Sequence, residues 1–408
     1  MNILLINHYA GSIYHGMEYR PYYLAREWVR MGHHVTVVAS SKSHVRTVAP
    51  QMRGAFTQET IDGIEFHWLK TPGYDGNGIK RGLNILAFVA QLYRYAGYWV
   101  KKNKTDLVIT SSTHPLDNLP GKWIARKANA KLVYEVHDLW PLSLIELGDM
   151  SAYHPFIRLL QWAENYAYRN ADHVVSLLPK ALPHMITHGL SQDKFFYIPN
   201  GIDITEWGEQ NTALPLEHDQ AIKVFRQDVK LLIGYAGAHG LANALDTLLD
   251  AADLLQDERV GFILTGQGPE KTRLQDRCIQ ERLKNVLFLP PLPKSTIPSL
   301  LAAMDVLYIG LKSESLFRFG VSPNKLIDYM MAGKPILYAI AAGNDPVSDS
   351  NCGFSIPPEN PSALVQAVRQ MLTISKTELD AMGMRGHNYC TQHHDYHNLA
   401  RRFLSSIV

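Results

Sequence analysis

Polar residues gather at the start of one predicted helix, within RFGVSPNKLIDYMMAGKPI at residues 318–336. Pro323 suits the first turn of a helix, and Asn324 and Asp328, four residues apart, then lie on one helical face. The free amides of a helix start, together with the ammonium group of Lys325, suit a diphosphate. A carboxylate one turn further on can accept hydrogen bonds from both hydroxyls of a ribose. The segment therefore predicts a nucleotide site; the alternative is an amphipathic helix with solvated charges.

Two loops that contain glycine follow predicted strands and precede predicted helices. Gly16 lies in NHYAGSIYHGMEYRP at 7–21, and Gly237 and His239 lie in GYAGAHG at 234–240. Glycine lets a backbone approach phosphate closely, and a helix start attracts anions. The alternative for each loop is a turn that needs glycine for its geometry alone. The fingerprints GxGxxG and GxxxxGK[ST] do not occur in the sequence, which weakens the case for NAD or ATP.

A third candidate is LVYEVHDLWP at 132–141, where His137 and Asp138 directly follow a buried strand. In parallel α/β sheets, ligands bind outside the carboxyl ends of the strands. A histidine and an aspartate at such an end predict a functional role, although a lone histidine is more often a structural hydrogen-bonding group.

Short β-branched runs alternate with helical patterns from end to end, which predicts parallel sheets with crossover helices. The predicted strands are 3–7, 34–39, 106–110, 131–136 and 173–177, and then 230–236, 260–266, 285–290, 305–310 and 334–340. We expect an N-terminal domain at 1–204, a linker at 205–225, a C-terminal domain at 226–385 and a final helix at 386–408 that packs back on the N-terminal domain. Two such doubly wound domains facing each other across a cleft form the GT-B fold.

Composition excludes several classes of protein. The chain has 408 residues, is 46% hydrophobic and 19% charged, and carries a net charge of +2. Residues 1–200 hold 21 Lys and Arg and 15 Asp and Glu, an imbalance too mild for a nucleic-acid-binding protein. Three widely spaced cysteines fit a reducing compartment. The longest apolar run, at 83–93, is shorter than the roughly 18 residues of a membrane span, and no signal peptide is evident, so we expect a cytoplasmic protein.

The motifs together resemble the retaining glycosyltransferases of family 4, especially bacterial enzymes of capsule and O-antigen assembly. The resemblance runs over essentially the whole chain. It is carried by the loop with Gly16, LAREWVRMGHHVTVVAS, EVHDLWP, ADHVVSL, IPNGID, GYAGAHG, TGQGPE and, most specifically, SPNKLIDYMMAGKP at 322–335. It implies a GT-B enzyme that moves a hexosyl or N-acetylhexosaminyl group from a nucleotide-sugar, with UDP as the expected nucleotide, to a glycan or polyprenyl-linked saccharide.

The resemblance also implies roles for single residues. Asp328 stands where the family has the second Glu of its Glu-x7-Glu motif, which holds the ribose hydroxyls, and His137 matches a histidine that contacts the transferred sugar. Gly16 matches a loop glycine under the diphosphate. The expected catalytic residues are His137 and Asp138; the nucleotide-sugar residues are Gly16, Gly237, His239, Arg318, Ser322, Asn324, Lys325 and Asp328; and the acceptor residues are Glu18 and Arg20.

Two departures from the family pattern concern charge. Gly320 occupies the position of the first Glu, and Glu314 is nearby but out of register. The family's glycine–arginine pair is absent, because Ala238 follows Gly237. Arg318 and Lys325 are the candidates for the missing positive charge.

We expect no cofactor and no metal at the diphosphate. The sequence has no Asp-x-Asp pair, the usual carboxylate ligands of a cation that bridges the diphosphate. Helix starts and basic side chains would instead stabilise the leaving group. The family resemblance implies front-face attack, in which the leaving phosphate helps to deprotonate the acceptor hydroxyl. The rival hypotheses are a nucleotide-sugar epimerase on the same fold and a non-catalytic nucleotide-sugar-binding protein.

A final expectation is peripheral contact with the inner membrane. In the segment 83–102, five bulky residues recur at spacings of three and four, which places them on one helical stripe. They are Ile85, Phe88, Leu92, Tyr95 and Trp99, and the basic residues around them are Lys80, Arg81, Arg94, Lys101, Lys102 and Lys104. Such a stripe could rest on an anionic leaflet; the alternative is a crossover helix packed on the sheet.

Overall fold

The computed structural model describes residues 1–16, 19–74, 76, 78–102, 104–209 and 212–407. The chain forms two compact units: residues 1–200 together with the residues from Tyr396 onward, and Gly201–Asp395. Each unit is a sheet covered by helices, so the predicted class of two α/β domains is confirmed. The boundaries differ from the expected ones. The segment expected to be a linker contains two helices of the second unit, and the part of the C-terminus that returns to the first unit begins at Tyr396.

The first unit has an eight-stranded sheet in the order β3-β4-β2-β1-β5-β6-β7-β8, in which only the β3–β4 pair is antiparallel. Its strands are β1 (Asn2–Ile6), β2 (His34–Ser40), β3 (Phe56–Ile61), β4 (Ile64–Leu69), β5 (Leu107–Thr110), β6 (Lys131–Val136), β7 (His173–Ser176) and β8 (Phe195–Tyr197). Its helices up to residue 200 are α1 (Arg20–Arg30), α2 (Ile79–Lys102), α3 (Asn118–Ala128), α4 (Leu142–Glu146), α5 (Pro155–Asn170) and α6 (Leu182–Thr187).

The second unit has a six-stranded parallel sheet in the order β11-β10-β9-β12-β13-β14. Its strands are β9 (Leu231–Ala236), β10 (Val260–Thr265), β11 (Val286–Leu289), β12 (Val306–Gly310), β13 (Ile336–Ala339) and β14 (Gly353–Ser355). Its helices are α7 (Ile204–Glu209), α8 (Leu216–Arg226), α9 (Leu245–Leu254), α10 (Lys271–Gln280), α11 (Ile297–Ala302), α12 (Asn324–Met331), α13 (Pro346–Ser350), α14 (Pro361–Thr373) and α15 (Lys376–His393).

The strand order reverses once in each unit, and the reversal places the candidate residues. In the first unit the chain passes from β1 to β2 on one side and returns to β5 on the other. In the second unit β9 likewise lies between β10 and β12. A crevice opens outside the carboxyl ends of the strands at such a point, because successive crossovers leave in opposite directions. The loops after β1, β5, β9 and β12 are therefore the expected ligand-binding loops.

The last helix, α16 (Tyr396–Ser405), closes the first unit by packing on α1. The Tyr23 and Tyr396 rings stack with centroids 4.9 Å apart. The indole nitrogen of Trp28, which is 0% exposed, donates a hydrogen bond of 3.0 Å to the carbonyl oxygen of Ala400. Because α16 buries such large side chains, we expect its removal to destabilise the first unit.

The apolar stripe that was expected to meet a membrane is part of the core. Phe88, Leu92 and Trp99 are each 0% exposed, and they pack against residues of β1 and β5. The expectation of membrane contact through this stripe is therefore wrong, because the stripe covers the sheet as in an ordinary crossover helix. No helix in the described ranges combines the length and apolarity that spanning a bilayer requires.

Candidate functional site

A hydrogen-bonded network surrounds Glu135, near the carboxyl end of β6. The side chain is 0% exposed, and its Oε2 atom accepts a hydrogen bond of 2.6 Å from the Ser111 hydroxyl, which follows β5. The same oxygen lies 3.0 Å from Nε2 of His137. His137 Nε2 also lies 2.9 Å from the Ser111 oxygen. Both of these oxygens can accept a hydrogen bond from Nε2, so the network favours a proton on this nitrogen.

Arg20 neutralises Glu135 from the other side. Its Nε and Nη2 atoms lie 3.0 and 2.9 Å from Glu135 Oε1, and Nη2 also donates to the carbonyl oxygen of Ile198 at 3.0 Å. Burial raises the pKa of Glu135, but the charges of Arg20 and then His137 outweigh it, and the pKa lies well below its usual value. Arg20 is 4% exposed. We correct its expected role as an acceptor contact, because a guanidinium so enclosed positions Glu135 instead.

The other residues predicted in the first unit have fewer contacts. The Gly16 amide donates to the carbonyl oxygen of Ser12 at 2.9 Å, which folds the loop after β1 back on itself. Asp138 Oδ1 accepts from the Leu139 amide at 2.9 Å, and burial raises the pKa of this carboxyl group. Glu18, predicted to bind the acceptor, lies outside the described residues.

Two histidines at the same end of the sheet were not predicted from the sequence. His8 and His114 follow β1 and β5, and His8 Nδ1 lies 2.9 Å from His114 Nε2. His8 Nε2 lies 2.6 Å from the side-chain oxygen of Asn84 on α2. Burial lowers the pKa of both rings, with His114 at about 3. Both are therefore neutral near pH 7 and act as hydrogen-bonding groups.

In the second unit, Lys325 on α12 lies beneath the loop that follows β9. Its Nζ atom donates to the hydroxyl of Tyr235 at 2.8 Å and to the side-chain oxygen of Asn243 at 2.9 Å. Gly237 has φ of +154°, and a Cβ atom there would lie 2.6 Å from Lys325 Cε. The positive φ favours glycine at this position, and a side chain there would push the end of Lys325 aside.

His239 belongs to the same loop and has two unused ring nitrogens. The residue is 0% exposed, and neither Nδ1 nor Nε2 has a hydrogen-bond partner among the described residues. Burial, followed by the charges of Lys271 and Lys325, lowers the pKa of His239 to about 4. A buried polar group without a partner is costly, so a ligand that donates or accepts a hydrogen bond here would relieve that cost.

Helix α12 begins one residue later than the sequence predicts. Pro323 occupies the N-cap position instead of the first turn. Ser322 therefore lies before the cap, while Asn324 is the first helical residue and is exposed. Asp328 lies one turn further along and is partly buried. Burial raises its pKa to about 6, although Lys294 opposes the shift, so the carboxyl group is mostly ionised at neutral pH.

The position that lacks the expected glutamate is constrained by its backbone. Gly320 has φ of +103°, which disfavours a side chain at this point. Glu314 and Arg318 line a shallow pocket after β12, together with Ser313, Ser315, Ala341, Ala342 and Gly343. Arg318 Nη1 donates to the carbonyl oxygen of Ser315 at 2.6 Å, and its guanidinium lies 4.3 Å from the Phe319 ring centroid.

Two family models match this chain, one in each unit. The glycosyl transferase 4-like domain matches residues 15–201. The glycosyl transferases group 1 domain matches residues 230–373. The chain belongs to glycosyltransferase family 4. The resemblance inferred from the motifs is therefore confirmed, and so is the assignment as a transferase.

Whole-chain relatives of this glycosyltransferase agree with that assignment. It is 24% identical over 398 residues to a protein named as the colanic acid biosynthesis glycosyl transferase WcaI of Escherichia coli, covering 93% of each chain. Its fold is similar to that of sucrose-phosphate synthase from Thermosynechococcus elongatus, with a TM-score of 0.71 at 16% identity over 99% and 97% of the two chains. The Anabaena protein HepE in complex with UDP gives a TM-score of 0.68 at 16% identity over 100% and 99%. These likenesses confirm the GT-B fold.

Proposed function

We propose that this glycosyltransferase moves a sugar from a UDP-sugar to a saccharide acceptor in bacterial surface polysaccharide synthesis, with retention of anomeric configuration. The observation that carries the donor assignment is the group of polar side chains at the carboxyl end of β9. Lys325 lies under the Gly237 loop, His239 has unused ring nitrogens, and Asp328 lies one turn along α12. The names of relatives support the choice of donor and pathway, because they include a UDP complex and a colanic acid enzyme.

In this proposal each residue contacts one part of the nucleotide-sugar. Asp328 accepts hydrogen bonds from the ribose, while Lys325 and His239 face the diphosphate. Gly16, Gly237, Arg318, Ser322 and Asn324 are assigned to the nucleotide-sugar as backbone or side-chain contacts. His137, held by Glu135 and Ser111, contacts the transferred sugar beside Asp138. Helix α12 offers free amides to the leaving group, a preorganised stabilisation that water does not supply.

We also propose that transfer needs no metal ion at the diphosphate. Lys325, Arg318 and the α12 amides supply the positive charge in that case. Donor turnover in excess EDTA, measured promptly and below the melting temperature, should equal turnover without it. Activity that disappears with EDTA and returns with magnesium or manganese would refute this part of the proposal.

Two rival functions remain testable on the same fold. A nucleotide-sugar epimerase would convert the donor to an isomeric sugar nucleotide without an acceptor. A binding protein would hold the donor without turnover. A thermal-shift panel of UDP-, GDP- and dTDP-sugars identifies the donor, since a ligand at 100 times its dissociation constant adds about 2.7 kcal/mol of stability. Acceptor-dependent release of UDP then supports the transferase, while GDP or dTDP preference overturns the choice of UDP.

We propose that the enzyme works at the cytoplasmic face of an anionic membrane, through a surface other than the buried α2 stripe. The opposite face of α2 and the outer face of α5 expose large apolar side chains: Leu83, Leu86, Tyr93, Leu159 and Trp162. Helices α2, α3 and α5 carry five, three and two Lys or Arg residues, against one carboxylate, the buried Glu164. Aromatic and basic residues together suit an anionic headgroup layer, where each basic side chain contributes about 1 kcal/mol.

A further inference from the structure

A cluster of histidine, carboxylate and amide side chains lies between α5 and α6 in the first unit. None of these side chains takes part in the proposed transfer reaction. Glu164 on α5, His184 on α6 and His188 at the C-cap of α6 each place one metal-ligating atom within 4.8 Å of the others. In the described part of the chain, no other group of three His, Cys, Asp or Glu residues is arranged this closely.

The spacing of the first two ligands matches a tetrahedral ion. His184 Nε2 lies 3.4 Å from Glu164 Oε1. Two ligands at about 2.1 Å from a tetrahedral Zn²⁺ are about 3.4 Å apart. His184 and His188 are four residues apart, so their rings lie on the same side of α6, with centroids 4.5 Å apart.

A second observation concerns the hydrogen bonds beside these ligands. Gln161 Nε2, Asn165 Oδ1 and His188 Nδ1 lie 2.9 Å from one another. An amide nitrogen only donates, an amide oxygen only accepts, and a neutral imidazole nitrogen does one or the other. Each of the three atoms is therefore either a donor or an acceptor, and at least two of them must act in the same way. The contact between those two is not a hydrogen bond. Exchanging the nitrogen and oxygen of either amide does not remove the mismatch.

A cation removes this mismatch. Gln161 Nε2 also lies 2.7 Å from Glu164 Oε2, so an imidazole nitrogen, an amide oxygen and a carboxylate oxygen converge on one point. All three can act as acceptors towards a single positive charge. If a cation displaces the Gln161 amide from this point, the Glu164 carboxylate and His188 Nδ1 can both bind it. His184 Nε2, which lies 3.4 Å from the other oxygen of the same carboxylate, supplies the third protein ligand.

The residues around the cluster orient the Glu164 carboxylate and leave a route by which an ion can enter. Glu164 and Tyr168 are each 1% exposed, and the Tyr168 hydroxyl donates to Glu164 Oε1 at 3.0 Å. This hydrogen bond orients the carboxylate, as outer-sphere partners of metal ligands do. The His184 side chain is 12% exposed, so an ion can enter from the histidine side.

We propose that Glu164, His184 and His188 bind one Zn²⁺ ion that joins α6 to α5. Two imidazoles and a carboxylate favour zinc or a similar transition metal over magnesium or calcium. The ion has a structural role, and it is distinct from a cation at the diphosphate. Its removal therefore loosens α6 without entering the transfer reaction.

The test uses the untagged full chain, stripped of metal by a chelator and dialysed, without any sugar donor. Titration with Zn²⁺ against a chromophoric chelator should show one ion per chain, and Zn²⁺ should raise the melting temperature. Co²⁺ should give the visible d–d absorption of a tetrahedral site. Tyr168→Phe should weaken Zn²⁺ binding by about 10–100-fold, as loss of an outer-sphere partner does.

His184→Gln and His188→Gln should abolish binding, while His393→Gln, at an exposed histidine of the second unit, should not change it. Wild-type protein that binds neither Zn²⁺ nor Co²⁺ would overturn the proposal. Binding that survives both histidine substitutions would overturn it as well. If these variants do not fold, the Co²⁺ spectrum of the wild-type chain decides: tetrahedral bands support the site, and an octahedral spectrum refutes it.

Discussion

The ammonium group of Lys325 lies 4.2 Å from the centroid of the Tyr235 ring, in a partly buried position beneath the loop after β9. Burial lowers the pKa of Lys325 to about 7. In the free protein the side chain therefore loses its proton as pH rises above 7, although a bound diphosphate favours the protonated form. Above this pH, Lys325 must take up a proton when UDP binds. The affinity for UDP therefore falls as the pH rises.

We expect the UDP dissociation constant to rise by up to about tenfold per pH unit between about pH 7 and pH 9. Isothermal titration calorimetry in two buffers of different ionisation enthalpy measures both the affinity and the proton uptake. Lys325→Met should bind UDP more weakly and with a flat pH profile. A wild-type affinity that stays constant over this range would remove Lys325 from the diphosphate.

The Arg20–Glu135 ion pair makes a prediction about stability. Arg20→Met leaves a buried carboxylate without its counter-charge, which costs about 3–5 kcal/mol. Chemical denaturation should show this loss in the unfolding of the first unit. The double variant Arg20→Met with Glu135→Gln removes both charges and should recover much of it. If the single variant is as stable as the wild type, the pair does not hold this end of the sheet together.

The His137 network makes a prediction about kinetics. His137→Ala should lower kcat much more than it weakens UDP binding, because the proposed contact is with the transferred sugar. Ser111→Ala, which removes one partner of Nε2, should have a smaller effect in the same direction. Normal turnover by His137→Ala would exclude the role, and an equal loss of UDP affinity would place the residue at the nucleotide instead.

Much of this architecture could be predicted from the sequence, because both faces of the central strands are buried and their runs are almost continuously apolar. Four strands were not predicted: the edge strands β3, β8 and β14, and β4, which pairs with β3. β3 is polar and largely exposed, and β8 and β14 have three residues each, too few for a periodic pattern. On α2 the periodicity located an apolar stripe, but it could not show that this stripe meets the sheet. Apolar residues also lie on the opposite, exposed face of the helix, among them Leu83 and Leu86.

The candidate site shows the same limit. Short local motifs identified the segments around His137, Gly237 and Asp328. The contact between His8 and His114 joins positions 106 residues apart, and no local pattern reports such a pair. One signal was available: Glu135 is a carboxylate inside an apolar strand, and a buried charge requires a partner such as Arg20.

Membrane contact through the exposed faces of α2 and α5 can be tested by flotation. The full chain should rise with anionic vesicles at low salt and stay behind at high salt. Leu86→Glu and Trp162→Glu should each abolish flotation, whereas Ile279→Glu, at an exposed apolar residue of the second unit, should not. Flotation that persists in both first-unit variants would show that another surface meets the lipid.

Retaining transfer from a nucleotide-sugar held through Asp328 is tested most directly by ¹H NMR of donor turnover, with water as the acceptor. The donor is the UDP-α-sugar that gives the largest thermal shift. The wild-type enzyme should first release the α anomer of the free sugar. Asp328→Ala should bind the donor about 1–3 kcal/mol more weakly and release the sugar more slowly, whereas Asp349→Asn should behave as wild type. Initial release of the β anomer, formation of an isomeric UDP-sugar, or tight binding with no release would contradict the account.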